Sequence, residues 1–167
     1  RGYVTTLSDE KGRPDVTGLV ADCGERVYPV GRLDMDSEGL LLLTNDGELV
    51  NKIMRAGNYH EKEYLVSVNK PVTEAFCQQM SRGVAILDTV TRPCKVEKTG
   101  EKSFRIVLTQ GLNRQIRRMC EALGYRVLTL QRVRIMNIQL GNLKEGTWRS
   151  VEGEERRKLD ALLSGST

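Results

Sequence analysis

The chain has 167 residues, of which 39% are hydrophobic and 29% are charged, and its formal net charge is +4. This length and composition are typical of a single globular domain with a core of ordinary size. The longest purely apolar run is four leucines, whereas a membrane-spanning helix needs roughly 20 apolar residues, so we predict no membrane span.

Apolar runs separated by segments rich in Gly, Pro, Asn and Asp predict many short strands. In chain order, we predict strands at residues 3–7, 27–30, 40–44, 64–69, 85–87, 94–98, 104–109, 127–130 and 133–140. Residues 40–43 are consecutive leucines, and a strand with this pattern is expected to be buried on both faces. A loop around Trp148 is predicted for residues 141–149.

Helical spacing of apolar residues, together with capping residues, predicts four helices among these strands. The first helix begins within residues 45–47 and ends at Gly57, and the second is capped by Thr73 and runs to Gly83. The third helix is capped by Asn113 and stops at Gly124, and the fourth spans residues 152–163. Strands and helices are mixed, and hairpin-like strand pairs are common. We therefore predict an α+β fold with one mixed, mostly antiparallel sheet and helices on its surface.

The sequence predicts one domain over residues 1–151, followed by a charged helix and tail over residues 152–167. Residues 1–4 are already typical of a strand, and no initiating methionine precedes them. We therefore expect the chain to be a piece of a longer protein.

Cysteine and histidine usage argues against disulfides and against a zinc site. Four cysteines are scattered without a C-x-x-C spacing, which predicts reduced thiols in a cytoplasmic protein. The chain has one histidine, His60, and so offers few side chains that could form a zinc site or a histidine-based triad.

Asp34, Asp36 and Glu38 superficially match the start of a calcium-binding EF-hand loop. The match fails at loop position twelve, where Asn45 stands in place of a bidentate glutamate. Glycine-rich phosphate-binding motifs are absent as well. We therefore predict no metal.

Arginines are concentrated in one part of the chain. Residues 105–134 contain seven arginines, no lysine and one acid, so this segment has a charge of +6 while the rest of the chain has a charge of −2. Arginine suits bidentate contacts with phosphate, and this enrichment favours a nucleic-acid partner over a merely solvated face.

The third predicted helix positions three of these arginines. Its apolar residues are Ile116, Met119, Cys120 and Leu123. At about 100° per residue, Arg114 and Arg118 fall roughly opposite this stripe, and Arg117 falls on its flank. Arg117 is therefore best placed to lie at the edge of the core and to meet a half-buried partner.

Asp34 lies in a polar loop directly before the buried run of leucines. A carboxylate held rigidly at the start of a core strand can do chemistry, and nearby arginines, such as Arg32, favour its charged form.

Three segments, in order and at similar spacing, resemble the RsuA/RluB/RluE/RluF family of ribosomal RNA pseudouridine synthases. They are Gly31-Arg32-Leu33-Asp34 with Ser37-Glu38-Gly39-Leu40-Leu41, then Lys62-Glu63-Tyr64-Leu65-Val66, then residues 110–119. The similarity covers nearly the whole chain. Residues 134–137 are most similar to the RluF branch, which acts on large-subunit rRNA.

The resemblance implies the pseudouridine synthase fold and an isomerase that needs no cofactor and acts on uridine in rRNA, for which we predict 23S rRNA. It implies that Asp34 attacks the target uridine, at the sugar C1′ or through a glycal route, and that Tyr64 stacks on the flipped base. Arg117 corresponds to the arginine that the family pairs with its aspartate. The remaining arginines are predicted as a group to bind RNA phosphates: Arg32, Arg114, Arg118, Arg132 and Arg134.

Other interpretations stay open at this point. Asp34 could cap a turn, Tyr64 could be a core-facing aromatic, and Arg117 could form a structural ion pair with another acid. The functional alternatives are a non-catalytic rRNA-binding module of the same fold and an acid-dependent nuclease or glycosidase, which needs a second poised carboxylate. The sequence does not include the N-terminal S4 RNA-binding domain that is usual in this family. We expect a monomer by default.

Overall fold

The computed structural model describes residues 2–8, 28–30, 33–34, 36–144 and 147–166. Its strands are β1 (Gly2–Ser8), β2 (Tyr28–Val30), β3 (Glu38–Thr44), β4 (Lys62–Val68), β5 (Ala85–Ile86), β6 (Thr89–Val90), β7 (Lys95–Gly100), β8 (Ser103–Leu108), β9 (Val127–Ile135), β10 (Ile138–Gln139) and β11 (Trp148–Val151). Its helices are α1 (Gly47–Met54), α2 (Glu74–Arg82), α3 (Gln115–Ala122) and α4 (Gly153–Leu163), with a 3-10 turn at Ala56–Asn58. None of these described helices is long and apolar enough to cross a membrane.

Nine strands form one sheet in the order β11-β1-β3-β9-β4-β8-β7, with β2 paired to β3 and β10 paired to β9. Strands β3 and β9 run parallel, and the other strand pairs of the described residues are antiparallel. The predicted α+β fold with a mostly antiparallel sheet is confirmed.

The parallel contact between β3 and β9 is short and depends on one glycine. Two residue pairs are in register there, Glu38 with Gln131 and Gly39 with Arg132. Gly39 has a φ of +115°, and a Cβ at this position would lie 2.2 Å from the backbone oxygen of Arg132. Glycine alone adopts this backbone and this close approach without strain. The start of β3 is thereby held directly against β9.

Two clusters of buried apolar side chains form the core. One joins α2 and α3 to β4, β8 and β9, and the other joins α1 and α4 to β3, β9 and β10. The leucines of β3 are at most 4% exposed, which confirms the prediction that this strand is buried on both faces. Leu159 and Leu163 bring α4 onto the second cluster. The predicted boundary at residue 151 falls between β11 and α4 and remains a prediction.

Polar caps begin two helices where the sequence predicts them. The Asp46 carboxylate accepts a hydrogen bond of 3.0 Å from the Glu48 backbone N–H at the start of α1. The Thr73 hydroxyl accepts one of 3.0 Å from the Phe76 backbone N–H at the start of α2. Such caps satisfy backbone donors that have no partner within the helix.

Several predicted boundaries are wrong. The strands expected at residues 127–130 and 133–140 are one continuous β9 and a short β10, because β9 pairs with β4 along its length. Trp148–Val151, expected in part as loop, pairs with β1 as β11. Helix α3 has Arg114 rather than Asn113 at its N-cap position, and α1 ends at Met54, before Gly57.

Candidate active site

A cavity of about 390 Å³ lies where β3, β4 and β9 meet the loop that precedes α3. The loop before β3 contributes Asp34, β4 contributes Lys62 and Tyr64, β9 contributes Arg132, and the entry to α3 contributes Arg114. Leu108, Ile116 and Leu130 of the core also line it. The volume lies within the range of about 300–1,000 Å³ that is usual for small-molecule sites.

Asp34 is held at the mouth of this cavity by the start of β3. Its backbone oxygen accepts a hydrogen bond of 3.0 Å from the Ser37 N–H, which closes a turn just before the buried strand. The Asp34 side chain is 30% exposed, and its Oδ2 lies 3.8 Å from Nη1 of Arg114. The carboxylate is thus accessible from the cavity and lies beside a cation.

Arg114 reaches this loop from an unusual backbone position. It adopts the left-handed conformation, with φ 48° and ψ 39°, directly before α3. This conformation is uncommon for residues other than glycine and asparagine, and such residues cluster at functional sites. The guanidinium forms a bidentate pair with Asp36, with distances of 2.9 and 2.8 Å. These hydrogen bonds, supported by the charge of Arg117 and opposed by burial, hold the pKa of the Asp36 carboxyl below its ordinary value.

Arg117 is buried, as its place on the flank of the helix predicts, with a residue exposure of 8%. Its Nη2 donates a hydrogen bond to the backbone oxygen of Asp36. Its Nε lies 3.3 Å from Oδ1 of Asp36, although the N–H direction does not form a hydrogen bond. The expected pairing of Arg117 with Asp34 is therefore wrong for this structure. Its partner is Asp36, two residues further along the same loop, and Arg114, which directly precedes α3, is the arginine that lies beside Asp34.

Tyr64 lines the cavity from β4. Strand periodicity places it on the same face as Val66 and Val68, which are at most 2% exposed, and Tyr64 packs against the same core cluster. Its ring is half-buried at the edge of this cluster, with the cavity on its other side.

Arg132 and Arg134 are two residues apart but lie on opposite faces of the sheet. Arg132 pairs in register with Tyr64, and Arg134 pairs with the adjacent Glu63, because the register shifts between these two positions. Consecutive residues of β4 point to opposite faces, so the shift separates the two arginines. Arg134 binds Glu63 at 2.8 Å and Glu61 at 3.2 Å, and it lines a second cavity that Asp34 does not line.

The structure does not bring all five predicted RNA-binding arginines together. Arg114 and Arg132 line the cavity. Arg118 lies beside it on α3 and binds the backbone oxygen and Oδ1 of Asn113, at 3.0 and 2.9 Å. Arg134 lies on the other face of the sheet, and Arg32 lies outside the described residues. The side chain of Asn113 is thus bound to Arg118 instead of capping the helix.

Reasoning from the sequence missed Lys62. This lysine is 7% exposed, lines the cavity and lies on the Tyr64 face of β4. Burial, together with the nearby charge of Arg132, lowers its pKa to about 8. The i, i+2 spacing of Lys62 and Tyr64 is the signal that predicts a shared face.

The sequence matches the family model described as RNA pseudouridylate synthase over residues 8–122. It is 54% identical over 166 residues to the dual-specificity RNA pseudouridine synthase RluF of Escherichia coli (strain K12), covering 99% of this chain and 57% of that relative. It is 35% identical over 168 residues to the ribosomal large subunit pseudouridine synthase B of Bacillus subtilis (strain 168), covering 97% and 69%. The chain therefore spans little more than half the length of the RluF relative.

A solved structure agrees with these sequence matches. The fold superposes on the crystal structure of a pseudouridylate synthase with a TM-score of 0.86 and 28% sequence identity, covering 95% of this chain and 73% of that chain. Sequence and structure together show that the chain belongs to the RNA pseudouridylate synthase family, in its RsuA/RluF-type group.

Proposed function

We propose that this chain converts uridine in ribosomal RNA to pseudouridine, with Asp34 as the nucleophile. The reaction breaks the bond from N1 of the base to C1′ of the ribose and forms a bond from C5 to C1′. The C5 proton leaves to solvent and N1 gains a proton, so atoms and electrons balance without an oxidant or reductant. The observation that carries the proposal is the placement of Asp34 and Tyr64 on one cavity of about 390 Å³.

Asp34 would act on the ribose. Its carboxylate is 30% exposed at the cavity mouth, and the turn to Ser37 and the buried β3 hold it in place. Arg114, with Nη1 at 3.8 Å, places a positive charge beside this carboxylate.

Tyr64 would support the base once it has left the RNA stack. A uridine inside folded RNA must be extruded before its C1′ and C5 can be reached, and an aromatic face is a favourable support for the extruded base. Tyr64 offers a half-buried ring that is packed from behind by the core, on the cavity that Asp34 lines.

Arg117 would act as a positioning residue in this arrangement. It fixes the loop of Asp34 to α3 through the backbone oxygen of Asp36. Arg114 and Arg118 would contact RNA phosphates near the cavity, since they are the partly exposed arginines of this edge.

The proposed substrate is 23S rRNA. The Bacillus subtilis relative is named as a large-subunit enzyme, and this chain is 35% identical to it. We further propose that the chain acts as a monomer, and that it acts in the bacterial cytoplasm, because its relatives are RNA-modifying enzymes of bacteria.

The test is tritium release from unmodified 23S rRNA transcript that carries 5-tritiated uridine, with 16S rRNA transcript as the comparison. The wild-type chain is expected to release tritium from the 23S transcript, and Asp34→Ala is expected to release none while RNA affinity stays within about threefold. Tight binding without release by the wild type would favour a non-catalytic binding module instead. Release from the 16S transcript alone would overturn the choice of substrate.

A further inference from the structure

Two buried cations face the cavity without a counter-ion. Lys62 is 7% exposed and Arg132 is 5% exposed, and both line the cavity. In the part of the chain that the structure describes, neither forms an ion pair, although Asp34 and Glu38 line the same cavity. Other buried or half-buried arginines here, such as Arg117 and Arg134, each pair with a carboxylate.

Arg132 also has unused hydrogen-bonding capacity. Its Nε donates to the backbone oxygen of Leu40 at 2.8 Å, which fixes the guanidinium against β3. Its Nη2 is buried and has no hydrogen-bond acceptor within the described residues. Buried donors are nearly always satisfied, and one that is not needs an explanation such as a ligand.

Buried charges without a partner are costly, so proteins rarely keep two of them side by side. Both cations line one cavity, and burial, together with the nearby charge of Arg132, lowers the pKa of Lys62. With a pKa of about 8, Lys62 still carries its proton at neutral pH. Together the two side chains offer a fixed site of double positive charge on the wall of the cavity.

We propose that Lys62 and Arg132 form an anion-binding subsite that holds a phosphate group adjacent to the nucleoside in the cavity. The proposal rests on the proposed function for the identity of the ligand, an RNA phosphodiester. Tyr64 is a neighbour of both cations on this wall of the cavity, in register with Arg132 and two residues from Lys62 along β4. A nucleotide whose base lies on Tyr64 therefore has both cations next to it, within reach of a flanking phosphate.

The subsite explains why a lysine occupies position 62, a buried position of β4 at which an apolar side chain would otherwise be expected. Charge-assisted hydrogen bonds to phosphate compensate the desolvated cations when RNA is bound. The two buried charges therefore destabilise the protein only while no RNA is bound. The free energy of phosphate binding then helps to position the target uridine beside Asp34.

The test compares the affinities of uridine and uridine 3′,5′-bisphosphate by NMR titration of the whole chain at fixed ionic strength. The wild type is expected to prefer the bisphosphate by about tenfold or more. Lys62→Met, which keeps the length of the side chain and removes its charge, is expected to shrink this preference by about tenfold and to leave uridine affinity unchanged. The matched control is Lys102→Met, which removes an exposed lysine in the turn between β7 and β8 and should keep the full preference.

Three results would overturn the subsite: a wild type without preference for the bisphosphate, a Lys62→Met variant that keeps the preference, or one that loses uridine affinity to the same extent. Failure of the proposed function is measured separately. Tritium release by a wild type that lacks the phosphate preference would overturn the subsite alone, and a phosphate preference without release would overturn the proposed isomerase alone.

Discussion

Replacing Lys62 by methionine should stabilise the protein at neutral pH, which is the opposite of what removing a buried side-chain interaction normally does. The lysine is 7% exposed and forms no ion pair with any described residue. Its pKa falls from 10.5 to about 8 on folding. At 1.36 kcal/mol per pH unit, this difference corresponds to about 3 kcal/mol against the folded state.

The sign of the pH dependence follows from the same two values. Below about pH 8 the lysine is protonated in both states, so the folded state carries the full cost of the buried charge. Between about pH 8 and 10.5 the folded state has lost the proton while the unfolded state still binds it, so the stability of the wild type rises with pH. The variant has no such group. We therefore expect it to be more stable than the wild type by about 3 kcal/mol at pH 7 and by about 1 kcal/mol or less at pH 10.

The assay is urea unfolding at both pH values, followed by circular dichroism, for the wild type, Lys62→Met and Lys102→Met. The exposed Lys102 controls for the general loss of a lysine, and its variant should not show the gain in stability of Lys62→Met. The reasoning is refuted if Lys62→Met is less stable than the wild type at pH 7, or if its advantage does not shrink as the pH rises.

Further predictions concern the elements around the site. Gly39→Ala should lower the free energy of unfolding by about 3 kcal/mol or more, because its Cβ would lie 2.2 Å from a backbone oxygen. The control is Gly47→Ala, which has open space around its Cβ and should leave thermal unfolding nearly unchanged. Arg117→Met should reduce turnover far more than RNA affinity, since it removes the hydrogen bond to the loop of Asp34; an equal loss of affinity would place Arg117 on the RNA surface instead. Arg114→Met should raise the pKa of Asp36 toward its ordinary value, and an NMR titration that shows no rise would refute the bidentate pair.

The architecture was largely predictable because the signals are local. The buried β3, the caps of α1 and α2 and the apolar stripe of α3 follow from neighbouring residues, and the structure has each of them. The short β10 and β11 were not predictable, because their pairing with β9 and β1 depends on contacts that are distant in sequence.

For the site, periodicity predicted which side chains share a face but not where a register shifts. The helical wheel placed Arg117 correctly at the edge of the core. It could not distinguish Asp34 from Asp36 as its partner, because both carboxylates lie in one loop. The shift between Glu63 and Tyr64 moves Arg134 to the other face of the sheet, and no local pattern in the sequence marks it.

The two carboxylates of this loop provide the most direct test of the central claim, that Asp34 is the nucleophile. Asp36 is the matched control, since it forms the ion pairs with Arg114 and Arg117 while Asp34 lines the cavity. Single-turnover tritium release from 23S rRNA transcript should be abolished in Asp34→Asn and reduced but measurable in Asp36→Asn, with RNA affinity retained in both variants. Release by Asp34→Asn at the wild-type rate, or loss of release in Asp36→Asn alone, would contradict the assignment.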